Sequence, residues 1–577
     1  MASADDFAAE RDRLRRENER LIDENRRIEW ELREAREQVA DLRNSLSWRI
    51  TAPLRKGLDL VQGKTGHALP SALESADDYS RWLNLYARVT PEDRRAIHAA
   101  TERLAWKPAF LLRLRVVDPE REWLEATLAS VRRQVYRAWE LHVIDAGSQQ
   151  PWVARLLADA ATDPRIRVER TSGDATFAST AEFAADIEPG DCLEETALFE
   201  IAAECNASPD VTVIYTDEDS IDLSGRRSNP RFKPAWNPTL HHAQEYFGKL
   251  VFRRTGASDP VGCVRHVPAV LSHVRHDRHP PPARRTHTAL AGPKRSVTAI
   301  IPVRDRGDLL ESCLAGLFDQ TAWNAPLDIV IVNNESSDPR TMAVFEKYRA
   351  NGHVRVLDYP GAFNWSAMNN AAAAMVTSKV LLFLNNDVEM IESEWLEQLT
   401  APLAEEQVAA TGAKLLFADG TVQHAGILLG AAMGPRHLLR LSARDDPGYL
   451  GRLALPHDVE AVTGACMAVR RDAFQKVGGF DEAFPVSFND VDFCFRAIDA
   501  GYRIVWTPDS VVRHLESASR GSGILRTDRE EADHRRFVER WEARFASYHW
   551  LNPNLALTPQ DRFCLACPPR RKRPWER

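Results

Sequence analysis

The sequence has no apolar run approaching the ~18 residues that a membrane-spanning helix needs, and its N-terminus is charged. Neither a membrane span nor a signal peptide is therefore expected. It also has no excess of positive charge: 75 Lys and Arg against 83 Asp and Glu leave a net charge of −8, with no global attraction to nucleic acid or anionic lipid. Basic residues cluster only locally, in Arg275–Arg285 and in the tail Arg570-Arg571-Lys572-Arg573. The eight cysteines (192, 205, 263, 313, 466, 494, 564, 567) are scattered and mostly inside apolar segments, which reads as reduced thiols in a cytoplasm. Cys564 and Cys567 form one CxxC, but a structural zinc site wants four ligands and no second pair is near. What is present is an ordinary globular composition, 44% hydrophobic and 27% charged over 577 residues. That length exceeds one core and predicts two large domains plus extensions.

Residues 7–46 carry a heptad in which Leu14, Leu21, Ile28, Ala35 and Leu42 recur every seven positions. Asn18, Asn25, Leu32, Val39 and Leu46 follow four places after each, completing an a/d seam. Asn at a positions fixes register and favours two parallel strands, so residues 1–47 are expected to be a dimerising coiled coil rather than a lone amphipathic helix. Pro53 ends the helix, and 48–105 reads as a linker and helical segment.

Two similar halves follow, at 106–280 and 295–555, joined by a linker at 281–294 and trailed by a basic tail at 556–577. The second half opens with VTAIIPV (297–303), then a helical pattern, DIVIV (328–332), the turn NNESSDP, another helix and Val354–Leu357. The first repeats the scheme with Leu111–Val117, a helix near Trp123–Val135, Trp139–Asp145, a helix from Pro151 and Ile166–Arg170. Such β-α-β-α-β alternation means a parallel sheet with right-handed crossovers. Each half later reaches an apolar segment ending in paired arginines (LVFRR, MAVRR) and a strand closing on His273 or His514. From Arg471 to His514 is 43 positions, but from Arg254 to His273 only 19. The stretch absent from the first half holds GGFDEAF and FNDVDFCFR, so that half is expected to be a catalytically dead duplicate. A site built from Asp217, Glu218 and Asp219 is the alternative, although those carboxylates lack a partner segment. The histidines at 266, 273, 276, 279 and 287 read as a solvated, Arg/Pro-rich linker.

The chemistry is expected in the second half. VLLFLNNDVE (380–389) is a strand-length apolar run that stops at Asn385, Asn386 and Asp387, where an open α/β sheet places ligands. FNDVDFCFR (488–496) sets Asp490 and Asp492 in an apolar context, where a carboxylate needs a specific reason to exist. A metal-anchoring Asp and a base-like Asp are the minimum equipment for sugar transfer from a nucleotide donor. Each has a plain rival: Asn385–Asp387 could be a turn, Asp490 and Asp492 a helix cap, and His514 a satisfied strand-end histidine. Trp365 and Trp506 read as packing, although Trp365 in the NWS loop could line an acceptor cleft.

With VTAIIPVRDR, VNNESSDP, PGAFNWSAMNNAA, LLFLNNDVE, GAKLLFADGTVQHAG, VTGACMAVRRDAFQKVGGFDE, FNDVDFCFRA and HLESASRG in order, the chain resembles the family 2 glycosyltransferases. The resemblance is to the bacterial rhamnosyltransferase-like members that build surface polysaccharides. It implies an α/β fold of two tandem GT-A domains, the first degenerate. It implies that Asp387 and His514 bind a divalent metal, Mn2+ or Mg2+, and that Asp490 is the catalytic base. Pro302, Arg304, Asp305, Asn333, Asn334, Asn364, Asn370, Asn385 and Asn386 fall at donor-binding positions. Asn333 and Asn334 stand where relatives carry acidic residues that read the nucleobase.

The expected activity is inverting transfer of a sugar, rhamnose from dTDP-rhamnose being the expected case, to a hydroxyl of a surface polysaccharide or lipid-linked glycan. The partners implied are that nucleotide-sugar donor and a glycan acceptor, with no nucleic acid. A homodimer through the coiled coil is expected, in the cytoplasm, with peripheral contact at the inner face of the cell membrane through the tail. A non-catalytic scaffold of glycan-binding modules is one alternative. A nucleotidyltransferase is another, opposed by Arg304-Asp305-Arg306-Gly307, which is not a Gly-rich phosphate loop.

Overall fold

The computed structural model describes residues 76–171, 178–257, 262–275, 295–350, 352, 354–430, 434–515, 527–546, 550–557 and 563–576. The heptad and the linker with His276, His279 and His287 lie outside them. In the first half the strands are β1 (Phe110–Val116), β2 (Trp139–Asp145), β3 (Ile166–Arg170), β4 (Phe183–Ile187), β5 (Cys192–Leu193), β6 (Val211–Ile221), β7 (Arg227–Arg231), β8 (Val251–Arg254) and β9 (Cys263–Arg275). Their order is β3-β2-β1-β4-β8-β6-β9-β5, with β7 beside β6.

The second half begins with β10 (Val297–Val303), β11 (Leu327–Asn333), β12 (Val354–Asp358), β13 (Val380–Leu384) and β14 (Val388–Met390). It continues with β15 (Val408–Leu416), β16 (Val422–His424), a hairpin of β17 (Ile427–Gly430) and β18 (Gly434–His437), then β19 (His457–Asp458), β20 (Cys466–Arg470) and β21 (Arg503–His514). The main path is β12-β11-β10-β13-β20-β15-β21-β14, the first-half order strand for strand. Directions repeat as well, with a parallel block around β1 or β10 and antiparallel entry of β8 or β20. The α/β architecture of two tandem domains is thus as the repeat predicts.

Sequence explains which strands sit in the middle. β13 and β15 are buried at every position, as strands covered by helices on both faces must be. β1 instead alternates, exposing Arg113 and Arg115, so one face of the first sheet is wet at that strand. Between β20 and β21 the second half inserts helices Arg471–Val477 and Asn489–Asp499.

The halves are fastened by buried polar contacts. Asp458 accepts from Thr239 (2.8 Å) and Arg503 (2.9 Å), while Asn237 Nδ2 donates to the Asp458 carbonyl (2.9 Å). Asn552 Nδ2 donates to Asp217 Oδ2 (2.8 Å), carrying the C-terminal segment back onto the first half. There Trp575 packs against Phe199 and donates to Asp93 (2.8 Å). Arg571 pairs with Glu200, Arg573 with Asp93 at 3.4 Å, and Arg570 donates to the Asn552 carbonyl, so Lys572 is the exposed member of the basic tail.

The reading of His266 and His273 as solvated linker is corrected. Both lie on β9, with side chains about 6% and 7% exposed, facing the β6 carboxylates Asp217 (2.8 Å) and Asp219 (2.7 Å). An Arg- and His-dense sequence hid a strand because its polar side chains are spent on buried ion pairs.

Candidate active site

β13 ends at Leu384, and the chain turns through Asn385–Asp387 into β14. The turn is pinned by Asn385 N donating to the Ala465 carbonyl (2.9 Å), and Leu515 N donates to the Asp387 carbonyl (3.0 Å). β14 pairs with β21 so that Val388 faces His514, which brings the Asp387 and His514 side chains together. Asp387 Oδ1 lies 3.1 Å from His514 Nε2. Across the ring, His514 Nδ1 stands 2.8 Å from Gln423 Oε1 on β16. A carboxamide oxygen only accepts, so Nδ1 carries a proton, and in the neutral ring Nε2 is an acceptor. Two acceptors then face each other, and Asp387 Oδ1 is buried with no hydrogen-bond donor among the described residues. An oxygen and a nitrogen lone pair converging in this way suit a hard or borderline dication such as Mn2+ or Mg2+, whose remaining ligands come from phosphate and water. The residues therefore fit the metal.

The base side is built from the inserted helix. Phe488 takes a left-handed backbone (φ 62) and stacks on Phe537 (4.7 Å), so helix Asn489–Asp499 begins abruptly with Asp490 in its first turn. Asp490 Oδ2 accepts from Gly464 N and Oδ1 from Val491 N, both at 2.8 Å, which fixes the carboxylate plane. Burial pushes its pKa up, and these amide hydrogen bonds offset only part of that. Gly464 has no room for a side chain: a Cβ would come within 2.8 Å of the Trp365 ring and 3.5 Å of the Asp490 Cβ. Asp492 turns inward, binding Arg496 (2.7 Å), Arg540 (2.8 Å) and Trp541 (3.0 Å), and so ties the helix to Asp528–Trp541.

Several other residues at the expected donor positions turn out to shape the cleft. Asn364 caps helix Trp365–Ala374 through Ala367 N (3.0 Å) and donates to the Glu482 carbonyl (2.8 Å). Asn370 holds both the N–H and carbonyl of Phe480 (3.0 and 2.9 Å), so both asparagines brace the loop that leads to the base. Asp305, left-handed at φ 55, accepts from the amides of Ser337 (2.7 Å) and Asp338 (2.9 Å). Asn333 and Asn334 end β11; Asn333 donates to Asp358 (2.8 Å) and Asn334 to the Tyr359 and Gly361 carbonyls. Pro302 sits within β10 and Arg304 is exposed at its end, while Asn386 is half-buried in the metal-side turn.

Sequence reasoning missed Gln423, Gly464, Asp358 and the buried His424. His424 Nε2 accepts from Thr463 N (3.4 Å), and Nδ1 meets His437 Nδ1 at 2.8 Å. The motifs VQHAG and VTGAC contained three of these residues, but only distances reveal what they hold.

Residues 298–478 match the model described as glycosyl transferase family 2, and 437–545 match glycosyl transferase family group 2. The second half is a family 2 glycosyltransferase domain. The chain is 32% identical to the O-antigen biosynthesis protein RfbC of Myxococcus xanthus, over 85% of this chain and 44% of that protein. The chain thus spans less than half of that relative's length. The N-acetylglucosaminyl-diphospho-decaprenol L-rhamnosyltransferase of Mycobacterium tuberculosis is 26% identical over 39% of this chain and 79% of its own. Among solved structures, a Pyrobaculum calidifontis mannosyltransferase in complex with GDP-Man and Mn2+ aligns at 18% identity and TM-score 0.31, covering 40% of this chain and 59% of that one. The fold assignment rests on strand order rather than on a likeness of that size.

The first half lacks a counterpart of helix Asn489–Asp499 among its described residues but keeps more of the Asp387–His514 arrangement than its sequence suggests. Cys192 of β5 pairs with His273 of β9, the register that places Val388 against His514. Asp191 therefore corresponds to Asp387, and burial raises its pKa to about 6. His273 has turned to Asp219 (2.7 Å) and Glu194 (3.5 Å), and Arg227 bridges the same two carboxylates at 2.6 and 3.3 Å. Tyr79 closes the cluster by donating to Asp219 (2.7 Å). Asp217 and Glu218 are likewise spent, on His266, Asn552, Arg231 and Lys233.

Proposed function

We propose that the chain is an inverting, metal-dependent glycosyltransferase that moves a deoxyhexose, rhamnose in the first instance, from a nucleoside diphosphate donor to a hydroxyl of a surface glycan. The observation that carries this is the unmatched acceptor pair, Asp387 Oδ1 and His514 Nε2 at 3.1 Å, in one domain with the fixed carboxylate of Asp490. A divalent ion held there supplies charge neutralisation at the donor diphosphate. Asp490 removes the proton of the acceptor hydroxyl as it attacks, and its raised pKa makes it a stronger base than an exposed aspartate. A single base and direct attack give inversion at the anomeric carbon. Asn385 and Asn386 line the metal-side turn, and Asn333, Asn334 and Asp358 offer polar groups to the nucleobase and ribose at the end of the sheet. The similarity to proteins named for O-antigen biosynthesis and rhamnosyl transfer to a decaprenol-linked sugar supports the choice of sugar and of a lipid-linked acceptor. Among the described residues, no helix is long and apolar enough to cross a membrane.

The test is a panel of nucleotide sugars incubated with the purified chain plus Mn2+ or Mg2+, scoring nucleoside diphosphate release. Release from dTDP-rhamnose that EDTA abolishes is expected. Release that EDTA leaves intact removes the metal role, and a chain inert toward every donor returns the scaffold reading.

A further inference from the structure

We infer that Gln423 is a positioning residue for the metal side of the site: it holds His514 in the one neutral tautomer whose Nε2 presents a lone pair toward Asp387, where a cation would bind. This inference rests on the metal reading above and extends it to a residue outside the ligand set. Three contacts agree. Gln423 Oε1 meets His514 Nδ1 at 2.8 Å, and the Gln423 amide nitrogen faces the His514 carbonyl at 3.5 Å, which fixes which end of the carboxamide is which. On the other side of the ring, Asn385 Nδ2 approaches His514 Nε2 at 3.5 Å, a donor meeting an acceptor. With the opposite tautomer, Nδ1 and Gln423 Oε1 would be two acceptors at 2.8 Å. The Nε2 proton would meanwhile bond Asp387 Oδ1 and close the site to a cation.

The fold makes this device from a short strand. β16 is only Val422–His424, buried throughout, and pairs with the end of β15 where β15 runs beside the last residues of β21. Gln423 is 5% exposed, so its carboxamide has little competition from water for the His514 Nδ1 proton. Outer partners of this kind set ring orientation and ligand basicity, and their loss commonly weakens metal binding roughly 10- to 100-fold.

The experiment uses the full chain with histidine-selective 15N labelling, the His514 signals assigned by difference against a His514→Gln protein. In metal-free wild type, long-range 15N spectra should show His514 protonated at Nδ1. A wild-type His514 protonated at Nε2 overturns the inference without any variant. Mn2+ binding is then read by electron paramagnetic resonance, with no substrate present. Gln423→Leu should lose the single tautomer and bind Mn2+ roughly 10- to 100-fold more weakly. Gln423→Glu, which keeps an acceptor at the same reach, should retain both. Wild-type Mn2+ affinity in Gln423→Leu, or equal loss in the Leu and Glu variants, overturns it. If wild type binds no Mn2+ while its tautomer is as stated, the metal reading fails and the orienting contact stands.

Discussion

The two halves share one scaffold down to the residue register, and they differ in what fills the end of the sheet. In the first, the carboxylates Asp219 and Glu194 are satisfied by a cation the chain itself provides, the Arg227 guanidinium, with His273 and Tyr79 completing the cluster. In the second, Asp387 faces His514 with no Lys or Arg ion pair to Asp387 among the described residues, and a helix bearing Asp490 has been inserted nearby. Burying carboxylates is costly unless their charge is answered. One half answers it with the chain's own cation; on the proposed reading the other leaves the answer to a metal ion.

The largest effect expected from breaking this contrast is on turnover. Asp490→Asn keeps volume and one of the two backbone hydrogen bonds but cannot take a proton, so kcat should fall roughly 10²- to 10⁴-fold with Mn2+ binding unchanged. The base works ionised, and burial raises its pKa, so wild-type kcat/KM should fall with acid along a limb lying above the ~3.9 of a free aspartate. The residual rate of the variant should lack that limb. Near-normal turnover would move the base elsewhere.

Arg227→Leu probes the other half. Removing a buried cation from two carboxylates costs about 3–5 kcal/mol when the partners stay charged. Unfolding by denaturant should register that loss while turnover per folded molecule is kept. Lost turnover in a folded protein would show that the first half takes part in chemistry. Millimolar Mn2+ should stabilise the variant by more than it stabilises wild type, because a dication can then occupy the emptied space as well as the Asp387–His514 pair.

The scaffold was legible because central strands of such sheets are unbroken apolar runs, VTAIIPV and VLLFL among them, ending at polar turns. The Asp387 and Asp490 positions stood out for the same reason, as carboxylates at the edge of apolar context. Residues that act through a second residue were not legible. Gln423 looks like any strand polar residue until its 2.8 Å contact to His514 is seen, and Gly464 needs the Trp365 ring to explain it. Asn364 and Asn370 stand at donor-binding positions by resemblance alone, and what the sequence did not show is that both also donate to the loop at 480–482. A strand closing on His273 was expected, but its histidines were read as solvated because charge density resembles a linker unless the facing strand's carboxylates are known.

The smallest effect separates filling from function. Tyr79 is 1% exposed and donates to Asp219 Oδ2, an oxygen that Arg227 Nε also reaches at 2.6 Å. Tyr79→Phe should therefore cost about 1.5 kcal/mol, the low end for a hydrogen bond to a charged group, because Arg227 still covers the oxygen. The pH dependence sharpens this. Burial alone would raise the Asp219 pKa, but His273, Arg227 and the Tyr79 hydroxyl outweigh it and hold it below the usual value. Glu194 is likewise held at about 2, against its burial, by His273 and Arg227. A depressed carboxylate gives stability that is present above its unfolded pKa and lost as pH falls through the folded one. The first half should thus weaken progressively below about pH 4.5 toward pH 2, between the ordinary Glu value and the folded value of Glu194. Without the Tyr79 hydroxyl the Asp219 pKa rises, so acid unfolding of Tyr79→Phe should begin at higher pH than in wild type, with Mn2+ affinity and turnover at neutral pH unchanged. An acid midpoint identical to wild type would mean that Arg227 and His273 alone hold Asp219, and that Tyr79 only packs.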